Sequence, residues 1–395
     1  MSASKSRSPE EWPAATPPGN GAPMALVDLA AQYERLGPRL RARLDAVFRH
    51  GQFILGPEVR ELEETLGRFV GGAHVVGVSS GRDALLMALM AVGVGPGDAV
   101  FVPAFTFTAT AEVAVAAGAV PVFVDVHPRT YTLDPAALAA AVARVRRDGG
   151  LRPRAVIPVD LFGLPADYPA ILAVAERDGL AVIADAAQSF GARLHGTPVG
   201  RLAPTTAVSF YPTKPLGGYG DGGCVLALDG ARADVVRAIR VHGHRDGSPC
   251  AERLGLTGRL DTLQAAVLLA KLEVFEEELA RRRALADRYD AALGDAVVTP
   301  QLPVGAESAW AHYSVLCDDR DAVRAALAAR GMPSRVYYEV PLHLHPAFAP
   351  YGQGPGSLPV AEATAKRILS LPLHPYLDPD AVARVAAAVR DAVRG

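Results

Sequence analysis

Residues 154–190 have the sequence RAVIPVDLFGLPADYPAILAVAERDGLAVIADAAQSF, in which two short apolar runs flank a segment of helical periodicity. The apolar runs are RAVIPVDLF (154–162) and LAVIADA (180–186), and the helical segment is DYPAILAVAERDG (167–179). Apolar runs of this length joined by a helix are typical of parallel strands connected by a crossover helix. This stretch therefore predicts a strand–helix–strand unit of an α/β fold.

The same alternation continues in both directions, from about residue 25 to about residue 281. Further strand candidates are AVFVP (99–103), AVPVFVDV (119–126), AVSFY (207–211) and GCVLAL (223–228). Further helical segments are DALLMALMAV (83–92) and DPAALAAAVARV (134–145). Apolar strands separated by helices indicate a sheet that is buried on both faces. We expect a mainly parallel central sheet with helices on both sides.

The two ends of the chain differ from this pattern. Residues 1–23 are rich in Ser, Pro, Gly and charged residues, which predicts a disordered tail. A long charged helix over 259–293 is predicted to lead away from the sheet. After it we expect a short strand, a helix, a Pro- and His-rich stretch and an amphipathic helix, at 312–318, 321–331, 340–348 and 378–393. The expected domains are a large α/β domain (24–281) and a smaller α+β domain (282–395).

The composition argues against several classes of protein. The 395 residues include 40 basic and 42 acidic side chains, for a formal net charge of −2, so neither nucleic acid nor a membrane surface is an expected partner. The three cysteines form no CxxC pair, and no apolar run is long enough for a membrane span or a signal peptide. The pairs His242/His244 and His343/His345 lack further ligands at suitable spacing. We therefore expect a soluble, cytoplasmic protein without a metal site.

Lysine is unusually scarce in this chain. Only Lys5, Lys214, Lys271 and Lys366 occur, so the other 36 of the 40 basic residues are arginine. Arginine supplies the same charge on a surface, so each lysine raises the question of whether an amine is required. Lys5 lies in the tail, and Lys271 and Lys366 lie on predicted helices where arginine would serve.

Lys214 has a different setting, the loop SFYPTKPLGGYGDGG (209–223). The prolines of this loop restrict the backbone, and its glycines permit close approach of another group. An amine held at one point can form a Schiff base with a carbonyl. The alternative is a loop lysine without a chemical role.

Asp185 lies at the carboxyl end of a predicted central strand, where open α/β sheets bind ligands. A carboxylate there is costly unless it is paired, for example with a protonated pyridine nitrogen, and the alternative is a helix N-cap. Asp185 and Lys214 together suggest pyridoxal phosphate (PLP). The segment VGVSSGRDALLMAL (76–89) supplies a strand, a turn and a helix start that would bind the phosphate. Asp125 and Asp160, also near strand ends, are interpreted as turn or cap residues.

Five ordered motifs resemble a known family. They are SSGRDALLMAL (79–89), PAFTFTAT (103–110), ADAAQSFGA (184–192), the loop 209–223 and GLTGRLDTLQAAVLLAKLE (255–273). From about Leu26 to the C-terminus the chain is similar to the DegT/DnrJ/StrS sugar-nucleotide aminotransferases. The resemblance implies the aspartate-aminotransferase fold (fold type I of PLP-dependent transferases), bound PLP and a homodimer with shared active sites. The last motif looks particularly like the branch that aminates the 3-keto group of UDP-linked hexuluronic acids.

The resemblance also implies roles for single residues. Lys214 would form the Schiff base with PLP and shuttle the proton, and Asp185 would pair with the pyridinium nitrogen. The other implied cofactor contacts are Gln188 at the phenolate oxygen, Phe107 on the ring, Ser209 and the backbone amides of Arg82 and Asp83 at the phosphate, and Thr257 from the partner chain. The implied substrate contacts are Arg259 and Tyr338.

Two positions depart from the family pattern. Arg82 stands where Thr is common, so its guanidinium would either replace a hydroxyl at the phosphate or point to substrate. Thr257 stands where many members have an Asn that reaches the phosphate of the neighbouring subunit. A threonine hydroxyl can still donate one hydrogen bond, so we expect the phosphate site to persist with altered geometry.

The sequence thus predicts a homodimeric transaminase that moves an amino group from L-glutamate to a keto group of a nucleotide-linked sugar. The alternatives are a cyclitol or another non-nucleotide ketone as acceptor, and a non-catalytic relative of the fold. Some relatives dehydrate amino sugars and have a histidine at the lysine position, so Lys214 argues against that reaction. The nucleotide, the sugar and the position and stereochemistry of amination are not determined by the sequence.

Overall fold

In the computed structural model, which describes residues 24–245 and 248–394, a seven-stranded sheet forms the centre of the protein. Its strands, from one edge to the other, are β1 (His74–Val78), β9 (Gly223–Ala227), β8 (Thr205–Ser209), β5 (Ala181–Asp185), β4 (Arg152–Val156), β2 (Asp98–Pro103) and β3 (Val120–Val124). Strand β9 is antiparallel to both neighbours, and the other neighbouring pairs are parallel. The predicted mainly parallel sheet is confirmed, while the predicted tail at 1–23 lies outside the described residues.

Helices cover both faces of this sheet because alternate strand residues point to opposite sides. Val100 and Val102 of β2 pack on one face, beneath α3 (Gly81–Ala91), α4 (Ala109–Ala116) and α7 (Gly230–Ile239). Ala99 and Phe101 point to the other face. The helices of that face are α2 (Pro57–Phe69), α5 (Pro135–Asp148), α6 (Tyr168–Asp178) and α8 (Thr262–Leu272). Helix α1 (Leu29–His50) packs on the outer side of α8.

Two smaller sheets complete the structure. Strands β11 (Tyr313–Leu316) and β12 (Ile368–Leu371) form an antiparallel pair. Their surrounding helices are α9 (Phe275–Leu293), α10 (Arg320–Ala329), α11 (Pro359–Arg367) and α12 (Pro379–Arg394). The third sheet has three strands of two residues each, β6 (Arg193–Leu194), β7 (Thr197–Pro198) and β10 (Ala306–Glu307). Within residues 24–245 and 248–394, none of the helices combines the length and the apolarity needed to cross a bilayer.

The single long helix predicted over 259–293 is wrong. Its first residues are extended, since Arg259 pairs with Val78 and Asp261 with Ile54. Helix α8 then ends, and α9 begins after Val274, whose backbone is not helical. Three consecutive glutamates at 276–278 favour a helix start at this point, because negative charge stabilises a helix N-terminus.

The predicted domain boundary at 281/282 falls inside α9 and stays a prediction. Phe275, in the first turn of α9, belongs to the core beneath the large sheet. Leu285, Tyr289 and Leu293, further along the same helix, belong to the core around β11 and β12. One continuous helix therefore contributes to both cores.

Candidate active site

Several strands begin or end at one edge of the large sheet. Strands β5 and β8 are parallel neighbours, and they end at Asp185 and Ser209. Ser209 also pairs with Gly223, the first residue of the antiparallel strand β9. Strand β1 ends at the same edge, since Val78 pairs with Gly223 from the other side. This is the edge at which open α/β sheets bind ligands.

Asp185 is buried, with only 5% of its surface exposed, and its carboxylate is held by two donors. Its Oδ2 accepts a 2.8 Å hydrogen bond from the hydroxyl of Thr110, and its Oδ1 accepts one of 3.1 Å from the backbone N–H of Ala187. Burial raises the pKa of Asp185, whereas both hydrogen bonds and the charge of Lys214 act in the opposite direction. Thr110 lies within the motif PAFTFTAT, but nothing in the sequence singled it out.

Lys214 lies in the loop after β8 and is half-buried. Its backbone N–H donates to the carbonyl of Tyr211 at 2.9 Å, so the chain turns tightly before the lysine. Burial lowers the pKa of Lys214, and the negative charge of Asp185 acts in the opposite direction. The lysine and the carboxylate are thus close enough for each to change the pKa of the other. A lowered pKa increases the fraction of neutral amine, which is the nucleophilic and proton-accepting form.

Gln188, Tyr338 and Phe107 come together on one side of the site. The Gln188 Oε1 accepts from the backbone N–H of Phe162 at 2.7 Å, and its Nε2 donates to the Tyr338 hydroxyl at 3.2 Å. The Phe107 ring lies 6.4 Å from the Tyr338 ring, centroid to centroid, and 57% of Phe107 is exposed. A large aromatic ring this open, beside a buried carboxylate, offers a face on which a planar ligand can stack.

Ser209 and the start of α3 form a second side of the site. A Cβ atom added to Gly81 would lie 2.5 Å from the Cβ of Ser209, so only glycine permits this close approach. The Asp83 N–H donates to the Ser80 hydroxyl at 3.0 Å and would need Ser80 to turn away before it could contact a ligand. The N–H groups of the first helical turn lack intrahelical acceptors, so Gly81 and Arg82 present donors to the site that have no acceptor among the described residues.

The Arg82 side chain points to α4 rather than into the turn beside Ser209. Its Nε donates to Oε1 of Glu112 at 2.7 Å, and its Nη1 lies 3.4 Å from a carboxylate oxygen of Asp83. With two acidic partners, the charge of this guanidinium is already compensated before any ligand binds. The backbone of Arg82, and not its side chain, therefore lies in the turn beside Ser209.

Thr257 and Arg259 lie on the extended segment before α8. The Thr257 side chain is exposed, and its hydroxyl lies 3.1 Å from Nε2 of His242. The backbone of Gly258 accepts from the N–H of Ser79 at 3.1 Å, which anchors the segment beside the end of β1. The Thr257 side chain is therefore exposed on the surface of this chain.

Two further residues of the site were not identified from the sequence. Burial lowers the pKa of His312 to about 3, with the charges of Lys214 and Arg282 acting in the same direction, so its ring is neutral. This ring lies 4.5 Å from the ring of Tyr337, centroid to centroid. A single histidine at the start of a short strand carries no sequence signal for such a position.

The second is Asp160, which was interpreted as a turn or cap residue. It is fully buried, and it accepts hydrogen bonds from the Tyr168 hydroxyl (2.8 Å), the Ala166 N–H (2.9 Å) and the Ser189 hydroxyl (2.6 Å). Burial raises its pKa to about 7, and the charge of Asp185 contributes to this rise. Its Ser189 bond supports the turn that carries Gln188, so Asp160 does more than cap. Asp125, by contrast, accepts from two N–H groups at the start of α11, as a cap does.

The residues of this site fit PLP. The free N–H groups at the start of α3 and the Ser209 hydroxyl suit a phosphate, and the half-buried Lys214 amine suits an aldehyde. The buried Asp185 carboxylate, whose charge is stabilised by the hydrogen bond from Thr110, suits a protonated ring nitrogen. In the part of the chain that the structure describes, no three histidine, cysteine or acidic side chains come together as metal ligands.

The fold and the site define a PLP-dependent transferase of fold type I, and its reaction is transamination. A family model for the DegT/DnrJ/EryC1/StrS aminotransferase family matches residues 35–390, and the chain belongs to this family.

Individual relatives agree with this assignment. The chain is 45% identical to UDP-2-acetamido-2-deoxy-3-oxo-D-glucuronate aminotransferase of Pseudomonas aeruginosa. The alignment spans 365 residues and covers 92% of this chain and 99% of that protein. It is 39% identical to dTDP-3-amino-3,4,6-trideoxy-alpha-D-glucose transaminase of Streptomyces venezuelae, over 93% of this chain and 95% of that one. Its structure superposes on a DegT DnrJ EryC1 StrS aminotransferase from Brucella abortus with a TM-score of 0.91 and 48% identity, over 93% and 99% of the two chains.

Proposed function

We propose that this aminotransferase transfers an amino group from L-glutamate to the keto group of a nucleotide-linked sugar, in the biosynthesis of an amino sugar. The observation that carries the proposal is that Lys214 and Asp185 lie close enough, at the carboxyl edge of the sheet, for their charges to interact. Each changes the pKa of the other, and Gln188 and Phe107 both contact Tyr338, whose pKa the charge of Asp185 raises. The presence of Lys214 argues against the dehydrating relatives, and the intact set argues against a non-catalytic relative.

The proposed chemistry assigns a task to each side chain. PLP, when bound, supplies an electron sink for the carbon that loses its proton. Lys214 Nζ accepts that proton and returns it to a neighbouring carbon, which its lowered pKa permits. Asp185 would pair with the protonated ring nitrogen, and the hydrogen bonds from Thr110 and the Ala187 N–H favour its charged form. Gln188 orients the ring, and Ser209 with the backbone of Arg82 and Asp83 binds the phosphate.

We propose that the active enzyme is a homodimer and that Thr257 and Arg259 serve the active site of the partner. The exposure of Thr257 supports this assignment. A cluster of exposed apolar side chains lies beside the same segment, at Phe48, Phe53, Ile54 and Leu55, which are 37–60% exposed. Ile54 pairs with Asp261, so the cluster is continuous with the segment that carries Arg259. An apolar surface of this kind is typical of a protein interface.

For the acceptor we propose a UDP-linked 3-keto-hexuluronic acid. The names of the relatives from Pseudomonas aeruginosa and Streptomyces venezuelae both refer to position 3 of a nucleotide-linked sugar. Arg259 would contact the acidic sugar or the diphosphate, because a guanidinium can bind either anion with two hydrogen bonds. Tyr338, whose hydroxyl already contacts Gln188, would contact the sugar near the reacting carbon.

We place the protein in the cytoplasm. Its three cysteines are free, with Cys224 and Cys317 buried and Cys250 exposed. Free thiols persist in a reducing compartment.

The proposal is tested by offering the enzyme different ketones. Purified PLP-loaded enzyme is incubated with L-glutamate and one acceptor: a UDP-linked 3-keto-hexuluronic acid, a dTDP-linked 3-keto-6-deoxyhexose, or a keto-cyclitol. Amino products are identified by mass spectrometry, and 2-oxoglutarate release is followed in parallel. We expect the UDP-linked acid to be aminated fastest and the cyclitol not at all. Amination of the cyclitol alone would contradict the nucleotide-sugar assignment and favour the non-nucleotide alternative.

A further inference from the structure

Lys271 is buried, although its place on a helix predicted a site where arginine would serve. It lies in the last turn of α8, and only 1% of its surface is exposed. Its Nζ has no hydrogen-bond partner among the residues that the structure describes. Instead the ammonium lies 4.0 Å from the centroid of the Tyr219 ring. This distance is that of a cation–π interaction, which is stronger when it is removed from water.

Tyr219 belongs to the loop that carries Lys214. Its backbone N–H donates to Oε1 of Gln264 at 2.9 Å. Gln264 and Lys271 are seven residues apart in α8, so they lie two turns apart on the same face of the helix. The helix therefore holds Tyr219 at two points, by the backbone through Gln264 and by the ring through Lys271.

The glycines beside Tyr219 make this approach possible. A Cβ added to Gly218 would lie 2.8 Å from Oε1 of Gln264, and one added to Gly220 would lie 2.9 Å from its Nε2. The loop thus contacts α8 with its bare backbone on both sides of the tyrosine. Because the contact is so close, a shift of α8 or of Tyr219 must move the loop.

The charge of Lys271 has one carboxylate near it. Glu278 of α9 raises the pKa of Lys271, whereas burial lowers it to about 7. The Glu278 carboxylate is itself held by Gln32 of α1, at 3.0 Å, and by the hydroxyl of Tyr376. The compact ammonium packs on the Tyr219 ring, and the charge of Glu278 opposes the effect of burial. A guanidinium is larger and brings five donors. Among the described residues this pocket provides no acceptor even for the Lys271 Nζ, so the donors of an arginine would stay unpaired.

We propose that Lys271 is a positioning residue for the catalytic lysine, acting through Tyr219. The ammonium holds the Tyr219 ring, Gln264 holds its backbone, and the two contacts fix the loop from which Lys214 projects. The inference rests on the proposed function in one respect, the binding of PLP by Lys214. The proposed roles explain why two of the four lysines are not arginine: Lys214 binds the cofactor, and Lys271 positions the loop that carries Lys214.

The test compares four variants of the full-length, PLP-loaded enzyme, and a control variant, with the wild-type enzyme. Lys271→Met removes the charge and keeps the length, and Lys271→Arg keeps the charge and changes its shape. Tyr219→Leu removes the ring, and Tyr219→Phe keeps it. Lys366→Met, at an exposed helix position, is the matched control. The measurements are the circular dichroism of the visible cofactor band, kcat, KM for L-glutamate and the melting temperature.

We expect Lys271→Met, Lys271→Arg and Tyr219→Leu to weaken the circular dichroism of the cofactor band at unchanged PLP content, because the cofactor is then less rigidly oriented. Their kcat should fall about tenfold, equivalent to about 1.4 kcal/mol in the barrier, with KM for L-glutamate nearly unchanged. Tyr219→Phe and Lys366→Met should match wild type. If Lys271→Met is insoluble, Tyr219→Leu removes the same interaction and decides by the same measurements.

A lower melting temperature with unchanged circular dichroism and kcat would overturn the inference, because Lys271 would then only stabilise the fold. Failure of the proposed function has a different outcome: wild type itself would show no visible cofactor band or no transamination.

Discussion

The hydroxyl of Thr110 donates a 2.8 Å hydrogen bond to Oδ2 of Asp185, and both residues are buried. Thr110 lies in the first turn of α4 and Asp185 at the end of β5, 75 residues further along the chain. Burial raises the pKa of Asp185, and this hydrogen bond opposes the rise. The hydrogen bond thus favours the ionised form of a carboxylate that burial removes from water.

Thr110→Val, which preserves shape and removes the hydroxyl, should make Asp185 easier to protonate. A hydrogen bond to a charged group contributes about 1.5–3 kcal/mol, so we expect kcat to fall by about tenfold or more. The pKa of Asp185 should rise further, so the acid limb of the pH–kcat profile should move to higher pH. Asp185→Asn is the reference: it should retain PLP, lose far more activity and show no such limb. An unshifted acid limb in Thr110→Val would argue against this role.

Lys214→Arg should leave the fold intact and abolish transamination. Arginine cannot form the Schiff base and stays protonated, so both the covalent link and the base are lost, and we expect a fall of about a thousandfold or more. The visible absorption band of the PLP-loaded enzyme should disappear, while far-ultraviolet circular dichroism and melting temperature match wild type. Turnover near the wild-type rate in this variant would refute the mechanism.

Shared active sites predict complementation between two inactive chains. One chain carries Lys214→Arg and the other carries Thr257→Ala with Arg259→Ala. In a mixed dimer one site receives Lys214 from one chain and both partner residues from the other, so that site is intact. Co-expressed chains, separated by two different affinity tags, should therefore regain partial activity. No activity in dimers shown to be mixed would count against the placement of Thr257 and Arg259.

Asp160 should make stability depend on pH. Its pKa is raised from 3.8 in the unfolded chain to about 7, so the folded protein favours the neutral acid. The resulting stability is fully present below pH 4 and is lost as the pH rises through 7. Asp160→Asn mimics the neutral acid at every pH. The free energy of unfolding of this variant minus that of wild type should therefore be larger at pH 8 than at pH 5, by on the order of 2 kcal/mol. Urea unfolding at both pH values measures the difference, and an equal gap at both would contradict the assignment.

Much of the architecture follows from local pattern. The apolar runs and the helical segment of residues 154–190 correspond to β4, α6 and β5, and the order of the motifs by itself indicates the family. The long helix predicted over 259–293 was wrong because periodicity and charge continue across the break. The break lies at Val274, and the glutamates after it stabilise the N-terminus of α9. This stabilisation is electrostatic, so it leaves the hydrophobic pattern of the sequence unchanged.

The site divides in a similar way. Lys214 and Asp185 were predictable because each lies in a local setting, a Pro/Gly loop or a strand end, whose chemistry is visible in the sequence. Gln188 was predicted only through the resemblance to the family. Thr110, Asp160 and His312 were not, because their importance comes from partners that are distant in the chain. An ordinary threonine, aspartate or histidine carries no mark of such a partner.

The lysines show where this division lies. The sequence by itself determined that only four positions hold an amine, and that the Pro/Gly loop around Lys214 suits a Schiff base. Helical periodicity could not show that Lys271 is buried, because a charged residue on a helix is ordinarily solvated. Only the tertiary structure, by packing α8 against the loop of Tyr219 and the carboxylate of Glu278, placed a second amine behind the first. The physical reason is that burial and pairing depend on which elements meet, and that is decided by the fold.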